Sequence, residues 1–412
     1  MMGAVEKAGA KVDHKYGKNI FLGLDNAADS DDMFDPKTKT YHWQGENLSG
    51  DELVKRYIGG FEEFKHLLAF EDPFAAHESQ WDFWAQLHDK LKGKMLQIGD
   101  DIFCSNPSLA YAGITRGVAD SGLIKLNQVG SFSQAWMYMD LFHNKGLSTV
   151  ISHRSTQPGT LSDPLEVTAA LAASYKALGR VVLAKLGGTY LENRASLYYE
   201  MQTSVEEWRS GNAITSGMGG DVKIASITPY PGQLGAGKEG LKVKMILENG
   251  VAIVSPIPGG LSRGEKETIL FGPIKGAEMV DHIVEKLQLV GKPLSCIGDV
   301  FEIEKLLMQM DIKMAQENGV LPSTYSKGDW DKFEEEAAYK RFVGGDVTLS
   351  FGQLMMKAVA MRDGIPPWLA YRQHGFKQNE AIGFSFANYP IAKQAFYEPI
   401  FTGQAGKGAI IN

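Results

Sequence analysis

Between residue 19 and about residue 210 the chain repeats one unit: a short apolar run that ends in polar residues, then a helix-like stretch. The six runs are NIFLGLD to Asp25, HLLAFED to Asp72, KMLQIGDD to Asp101, GLIKLNQ to Gln128, LSTVISHRS to Ser155 and RVVLAKLGG to Gly188. Apolar strands alternating with helices predict a parallel sheet covered on both faces, because each crossover lays a helix over the sheet. In (β/α) barrels the C-terminal ends of such strands gather the catalytic groups. Residues 25, 71, 100, 125, 153 and 185 stand at those ends, with steps of 46, 29, 25, 28 and 32. Each step after the first suits one strand-helix unit. The first leaves room for an inserted loop.

The pattern changes after residue 210. The stretch 211–240, GNAITSGMGGDVKIASITPYPGQLGAGKEG, is glycine-rich and reads as a linker. In LKVKMILENGVAIV, alternating Val243, Met245 and Leu247 lead into Asn249-Gly250, the tight turn of a hairpin. Helix-like stretches follow at KGAEMVDHIVEKLQLV, DVFEIEKLLMQMD and LSFGQLMMKAVAMRDG, so 241–390 reads as an α+β domain. The tail, 391–412, ends on a candidate extra strand.

With 412 residues, 44% of them hydrophobic, the chain can bury a large core. A net charge of -7 argues against nucleic-acid and anionic-membrane partners, whose binding surfaces are usually basic. The two cysteines, Cys104 and Cys296, lie far apart and have no Cys or His at metal spacing, so neither a disulfide framework nor a zinc site is expected. A reducing, cytoplasmic setting fits best. No apolar run suits a signal peptide or a membrane span.

Asp25, Glu71 and Asp100 each close an expected strand. Three carboxylates without soft ligands select a hard divalent cation, with Mg²⁺ the best fit. Acids at strand ends also cap the helices that follow, so each alone reads equally as a cap. Lys125 and Lys185 end strands that should be apolar, where an ammonium is costly unless it pairs with an acid or does chemistry. Beside a metal and another ammonium a lysine loses proton affinity and can act as a base near neutral pH. His153, Arg154 and Ser155 offer an imidazole, a guanidinium fork and a hydroxyl, a set suited to phosphate. A buried structural histidine accounts for His153 equally well.

The strings GLDNAAD, FEDPF, IGDDIFCSNP, IKLNQVGSFSQA, VISHRS and AKLGG, in this order and spacing, resemble the catalytic barrel of the enolases, which interconvert 2-phosphoglycerate and phosphoenolpyruvate. The resemblance runs to about residue 205. It implies that Asp25, Glu71 and Asp100 hold a catalytic Mg²⁺, that Lys125 removes the proton beside the carboxylate, and that Lys185 steadies the resulting dianion. Lysine bases working with Mg²⁺ are a known pattern of this superfamily. Arg154 and Ser155 match the family's phosphate contacts, and His153 its active-site histidine. Residues 242–267, KVKMILENGVAIVSPIPGGLSRGEKE, resemble the family's capping domain more weakly. Ser262 there matches a mobile-loop serine that reaches a second Mg²⁺, although PIPGGLSRG reads equally as a flexible connection.

The implied fold class is α/β: an incomplete or permuted (β/α) barrel of the enolase type over 1–210, joined to an α+β capping domain. Enolases place the cap before the barrel, the reverse of the order here. Neither the family's Gly-Gly-Ser-His stretch nor the full Gly-Asp-Glu-Gly-Gly motif, which carries the general acid, occurs in the sequence. Six strands do not close an eight-stranded barrel, so a protein partner, a dimer mate or the tail is expected over the open sheet edge. Loss of a positioned general acid costs about 10²- to 10⁴-fold in rate. Two readings follow. One is an enolase-like protein that binds Mg²⁺ and a small phosphorylated three-carbon acid and is a weak lyase when alone. The other is an inactive enolase-derived structural or regulatory subunit.

Overall fold

All six apolar runs form strands, and the first three carry the candidate acids. The structure is a computed structural model that describes residues 21–154 apart from 31, 32 and 65, residues 181–185, 203, 206, 207 and 210–212, and residues 215–372 apart from 235, 236, 260–262 and 325. The chain divides into two compact units, residues 1–104 with 108–123, and residues 105–107 with 124–412. This division falls inside the stretch read as barrel, not at the expected boundary near residue 210.

In the first unit, β1 (Leu22–Asp25) is followed by a small antiparallel sheet of β2 (Phe34–Asp35), β3 (Thr40–Trp43) and β4 (Glu46–Leu48). That sheet fills the long first step in the spacing. Next come α1 (Gly50–Glu63), β5 (Leu67–Glu71), α2 (Trp81–Leu91), β6 (Leu96–Gly99), α3 (Pro107–Arg116) and β7 (Ser121–Ile124). Strands β1, β5, β6 and β7 lie parallel in that order. Helix α1 starts at a reciprocal cap: Ser49 Oγ accepts the Glu52 N–H at 3.4 Å, and the Ser49 N–H donates to Glu52 Oε2 at 2.8 Å. The core of this unit is aromatic, with the Tyr57 ring 5.1 Å from Phe70 and 5.6 Å from Phe74, and Tyr41 5.9 Å from Phe74. Such pairs add about 0.5–1.5 kcal/mol each beyond the area they bury.

The second unit holds α4 (Leu126–Val129), α5 (Phe132–Asn144) and the parallel pair β8 (Ser148–Ser152) and β9 (Val181–Lys185). It continues with β10 (Val222–Gln233), β11 (Glu239–Leu247), β12 (Ala252–Pro256), α6 (Gly272–Lys286), β13 (Pro293–Leu294), α7 (Ile297–Glu317), α8 (Trp330–Tyr339) and α9 (Gly345–Asp363). These last strands form an antiparallel sheet in the order β12-β11-β10-β13, and the β11-β12 hairpin turns at Asn249-Gly250 as expected. The three helix-like stretches form α6, α7 and α9. Helix α9 is buried on all sides along most of its length, so it forms the centre of this unit.

The linker reading of 211–240 needs correction, because its residues 222–233 are strand β10. Val222, Ile224 and Ile227 are buried there, and the alternation slips at a register shift between Ile224 and Ser226. Pro229 and Pro231 argued against a strand, since proline cannot donate to a ladder. They are tolerated because β13 pairs only with Val222 and Lys223, leaving the proline half of β10 with β11 as its one neighbour among the described residues. At the end of α4, Gly130 has φ +67°, and a Cβ there would stand 2.6 Å from the Gly345 Cα, so only glycine admits the start of α9 at this distance. Among the described residues no helix is long and apolar enough to cross a membrane. The tail 391–412 lies outside the described residues.

Candidate functional site

Parallel pairing sets the acids of the first unit side by side. Asp25 is the register partner of Glu71, and Glu71 is the partner of Ile98, two residues before Asp100. Side chains alternate with a period of two, so Asp25, Glu71 and position 98 share a face at the C-terminal ends of neighbouring strands. Asp100 continues that alternation one step past the end of β6. Glu71 and Asp100 are buried, at 6% and 7% exposure, whereas Asp25 is exposed.

The tightest acidic group includes two residues that sequence reasoning did not single out. Carboxylate oxygens of Asp72, Asp100 and Asp101 lie within 4.8 Å of one another. Asp72, 3% exposed, accepts the Asp100 N–H on Oδ1 and the Asp101 N–H on Oδ2, both at 2.9 Å. Burial, followed by the charges of Asp101 and Asp100, holds the Asp72 carboxyl well above the usual carboxylate range. The donor set is all oxygen, which fits a hard cation such as Mg²⁺ or Ca²⁺ and not a thiophilic one. The signal for the two extra acids was in the sequence, as the doublets Glu71-Asp72 and Asp100-Asp101.

The turn after Glu71-Asp72 is clamped from several sides. Tyr57 Oη donates to the Pro73 carbonyl at 2.9 Å, and Tyr41 Oη accepts the Ala75 N–H at 3.1 Å while donating to Gln80 Oε1 at 3.0 Å. The indole N–H groups of Trp81 and Trp84 donate to the carbonyls of Ala76 and Ala75, and the Ala76 N–H donates to Asp29 Oδ1. These bonds satisfy the turn's buried backbone groups.

The second unit holds the residues expected to act as bases and as phosphate contacts. Lys125 is half-buried immediately before α4, and its N–H donates to Ser105 Oγ at 2.9 Å. Ser105 in turn donates to Gln128 Oε1 at 2.6 Å. Half-buried Lys185 ends β9, and its carbonyl accepts both the backbone N–H of His153 at 2.9 Å and a bond from His153 Nδ1 at 2.7 Å. A carbonyl only accepts, so the proton sits on Nδ1 and Nε2 is the basic nitrogen of the neutral ring. Arg154 forks onto Glu267, with Nη1 to Oε1 at 3.1 Å and Nη2 to Oε2 at 2.8 Å, both side chains within 3% of full burial. Glu267 also accepts the Gly264 N–H at 3.1 Å. It was missed because 113 residues separate it from Arg154. Ser155 and Ser262 lie outside the described residues.

Residues 1–175 match the family described as enolase, C-terminal TIM barrel domain. Over 153 residues the chain is 39% identical to enolase 1 of Lactococcus lactis subsp. cremoris strain SK11 and 37% identical to enolase 2 of Lactococcus lactis subsp. lactis strain IL1403. This segment is enolase-like. Each alignment covers 37% of this chain and 34% of the relative, so the chain spans about a third of the length of the curated relatives it matches. The enolase-like segment contains Asp25, Glu71, Asp100, Lys125, His153, Arg154 and Ser155, while Lys185 and Ser262 lie beyond it. The mixed fold, parallel strands with helices followed by an antiparallel sheet, is consistent with the enolase type.

Proposed function

We propose that this chain provides an enolase-type site that binds Mg²⁺ and 2-phosphoglycerate or phosphoenolpyruvate, and that it dehydrates 2-phosphoglycerate only weakly when alone. The observation that carries the reading is the register of Asp25 with Glu71 and of Glu71 with Ile98, which sets Asp100 next in line at the strand ends. Asp25, Glu71 and Asp100 are the ligands in this reading, with Asp72 and Asp101 beside them. A divalent cation there would offset the negative charge that develops on the substrate carboxylate when the adjacent proton leaves.

Lys125 is the base that takes this proton, Lys185 stabilises the dianion, and His153 offers Nε2 to the substrate. Arg154 and Ser155 bind the phosphate, and Ser262 reaches a second cation. For Arg154 this means an exchange: a substrate phosphate has to compete with the Glu267 carboxylate for the same guanidinium fork. The absent Gly-Asp-Glu-Gly-Gly motif supports weak turnover, since a general acid is worth about 10²- to 10⁴-fold.

Two measurements test the proposal. Calorimetric titration should show Mg²⁺ binding to the wild type that Asp100→Asn weakens, and equal heats from both proteins would refute the metal site. Product formation, followed by the ultraviolet absorbance of the enolpyruvate, should be slow for the purified chain. Turnover typical of the family would refute the weak-lyase part.

A further inference from the structure

Asp72 stands between two of the acids assigned to the metal, yet its hydrogen bonds point to a different role. Its backbone is left-handed at φ +41°, a region in which residues other than glycine carry strain and which Asp and Asn enter more readily than most. Every polar group it has is used to join neighbouring segments. Its N–H donates to the Ile98 carbonyl of β6 at 3.1 Å, and its carbonyl accepts the Ala28 N–H from the loop after β1 at 3.2 Å. The two carboxylate oxygens hold the backbone N–H groups of Asp100 and Asp101. Asp72 follows Glu71 directly and grips Asp100 by its own amide, so the separation of those two carboxylates depends on it.

We infer that Asp72 is a positioning residue that sets the preference of the acidic site for Mg²⁺ over Ca²⁺; this rests on the metal-binding reading above. Mg²⁺ demands near-octahedral ligands at about 2.0–2.1 Å, whereas Ca²⁺ accepts six to eight oxygens at about 2.3–2.6 Å in flexible arrangements. Loosening the link between Glu71 and Asp100 therefore harms Mg²⁺ binding far more than Ca²⁺ binding. A direct ligand would behave differently, because deleting its charge weakens both cations together.

The test is calorimetric titration of the full chain with MgCl₂ and, separately, CaCl₂, for the wild type, Asp72→Asn and Asp100→Asn. Asn suits the left-handed backbone but offers one acceptor oxygen in place of two. Asp72→Asn should lower Mg²⁺ affinity about 10- to 100-fold, the usual effect of losing an outer-shell partner, and leave Ca²⁺ affinity nearly unchanged. Asp100→Asn should lower both. Equal losses of both cations in Asp72→Asn, or no loss of either, would overturn the inference. Circular dichroism checks that each variant is folded, and if Asp72→Asn is not, Asp72→Glu carries the test: it keeps the charge, misplaces the oxygens and should show the same selective loss. A wild type that binds neither cation refutes the metal-binding reading itself, and this inference falls with it. Binding in which only Asp72→Asn behaves like the wild type refutes this inference alone.

Discussion

The two units treat buried charge in opposite ways. At the strand ends of the first unit, acids gather with acids: Glu71, Asp72 and Asp100 are all buried, Asp101 stands beside them, and the Asp72 carboxylate accepts the backbone N–H groups of Asp100 and Asp101. In the second unit several buried charges are matched by hydrogen-bonding partners. Arg154 forks onto Glu267, and Lys340 donates to the carbonyls of Val129 and Ala337 and to Gln134 Oε1. Glu304 accepts the N–H groups of Phe132 and Ser133 at the start of α5. The difference separates a candidate binding site from a framework. Like charges held close together cost free energy that a bound cation would lower, while matched charges hold the fold by themselves.

The largest expected effect breaks the matched side. Glu267→Ala leaves Arg154 buried without its carboxylate and should cost about 3–5 kcal/mol in urea unfolding. Replacing both partners, Arg154→Met with Glu267→Leu, should recover most of that loss, because two apolar side chains leave no buried charge behind. A single-variant loss no larger than that of an exposed pair, under about 1 kcal/mol, would show that the fork does not hold the fold.

A pH-dependent effect of somewhat smaller size is expected at Asp311, which accepts the N–H groups of Phe342 and Val343. Burial pushes its carboxyl from 3.8 up to about 6, partly opposed by those two N–H bonds. A raised folded value means that the folded state holds the proton longer. The resulting stability is fully present below pH 3.8 and is lost as the pH rises through about 6. The change is on the order of 3 kcal/mol. Lys340, held down to about 8 by burial, titrates above this window. Asp311→Asn carries no such proton, so its stability relative to the wild type should rise between about pH 4 and about pH 7 when urea midpoints are compared. A constant difference between the two proteins would remove Asp311 from the account.

Much of the acidic side was legible in the sequence, because a strand that ends in an acid announces both its face and its end. The apolar runs closing at Asp25, Asp72 and Asp101 became β1, β5 and β6, and the spacing of 46 residues correctly left room for the β2-β3-β4 insertion. The matched side was not legible. A bond between Arg154 and Glu267 depends on tertiary packing, and nothing in VISHRS or SRGEKE marks either as the other's partner. Strand β10 was hidden for a local reason, two prolines and flanking glycines that outweigh three buried aliphatic residues in any short window. The individual acids were read as ligands or helix caps, whereas Asp72 caps a turn belonging to its neighbours, a use that only the paired strands reveal.

The smallest effect sharpens the acidic side. If that region is shaped to receive a cation, the turn beyond Asp72 must be stiff, and Tyr57 is one of its restraints. Its hydroxyl is buried and donates to the Pro73 carbonyl at 2.9 Å, and burial holds the phenol protonated well past its ordinary range, so this bond persists at any pH of interest. Tyr57→Phe keeps the ring against Phe70 and Phe74 and deletes only the donor. The abandoned carbonyl should cost about 1 kcal/mol in unfolding free energy. Mg²⁺ affinity should also fall, by less than in Asp72→Asn, because Tyr57 restrains the backbone one residue beyond the acid and does not touch Asp100. An unchanged Mg²⁺ titration alongside the lost stability would assign the aromatic clamp to the fold alone and leave Asp72 as the residue that shapes the acids.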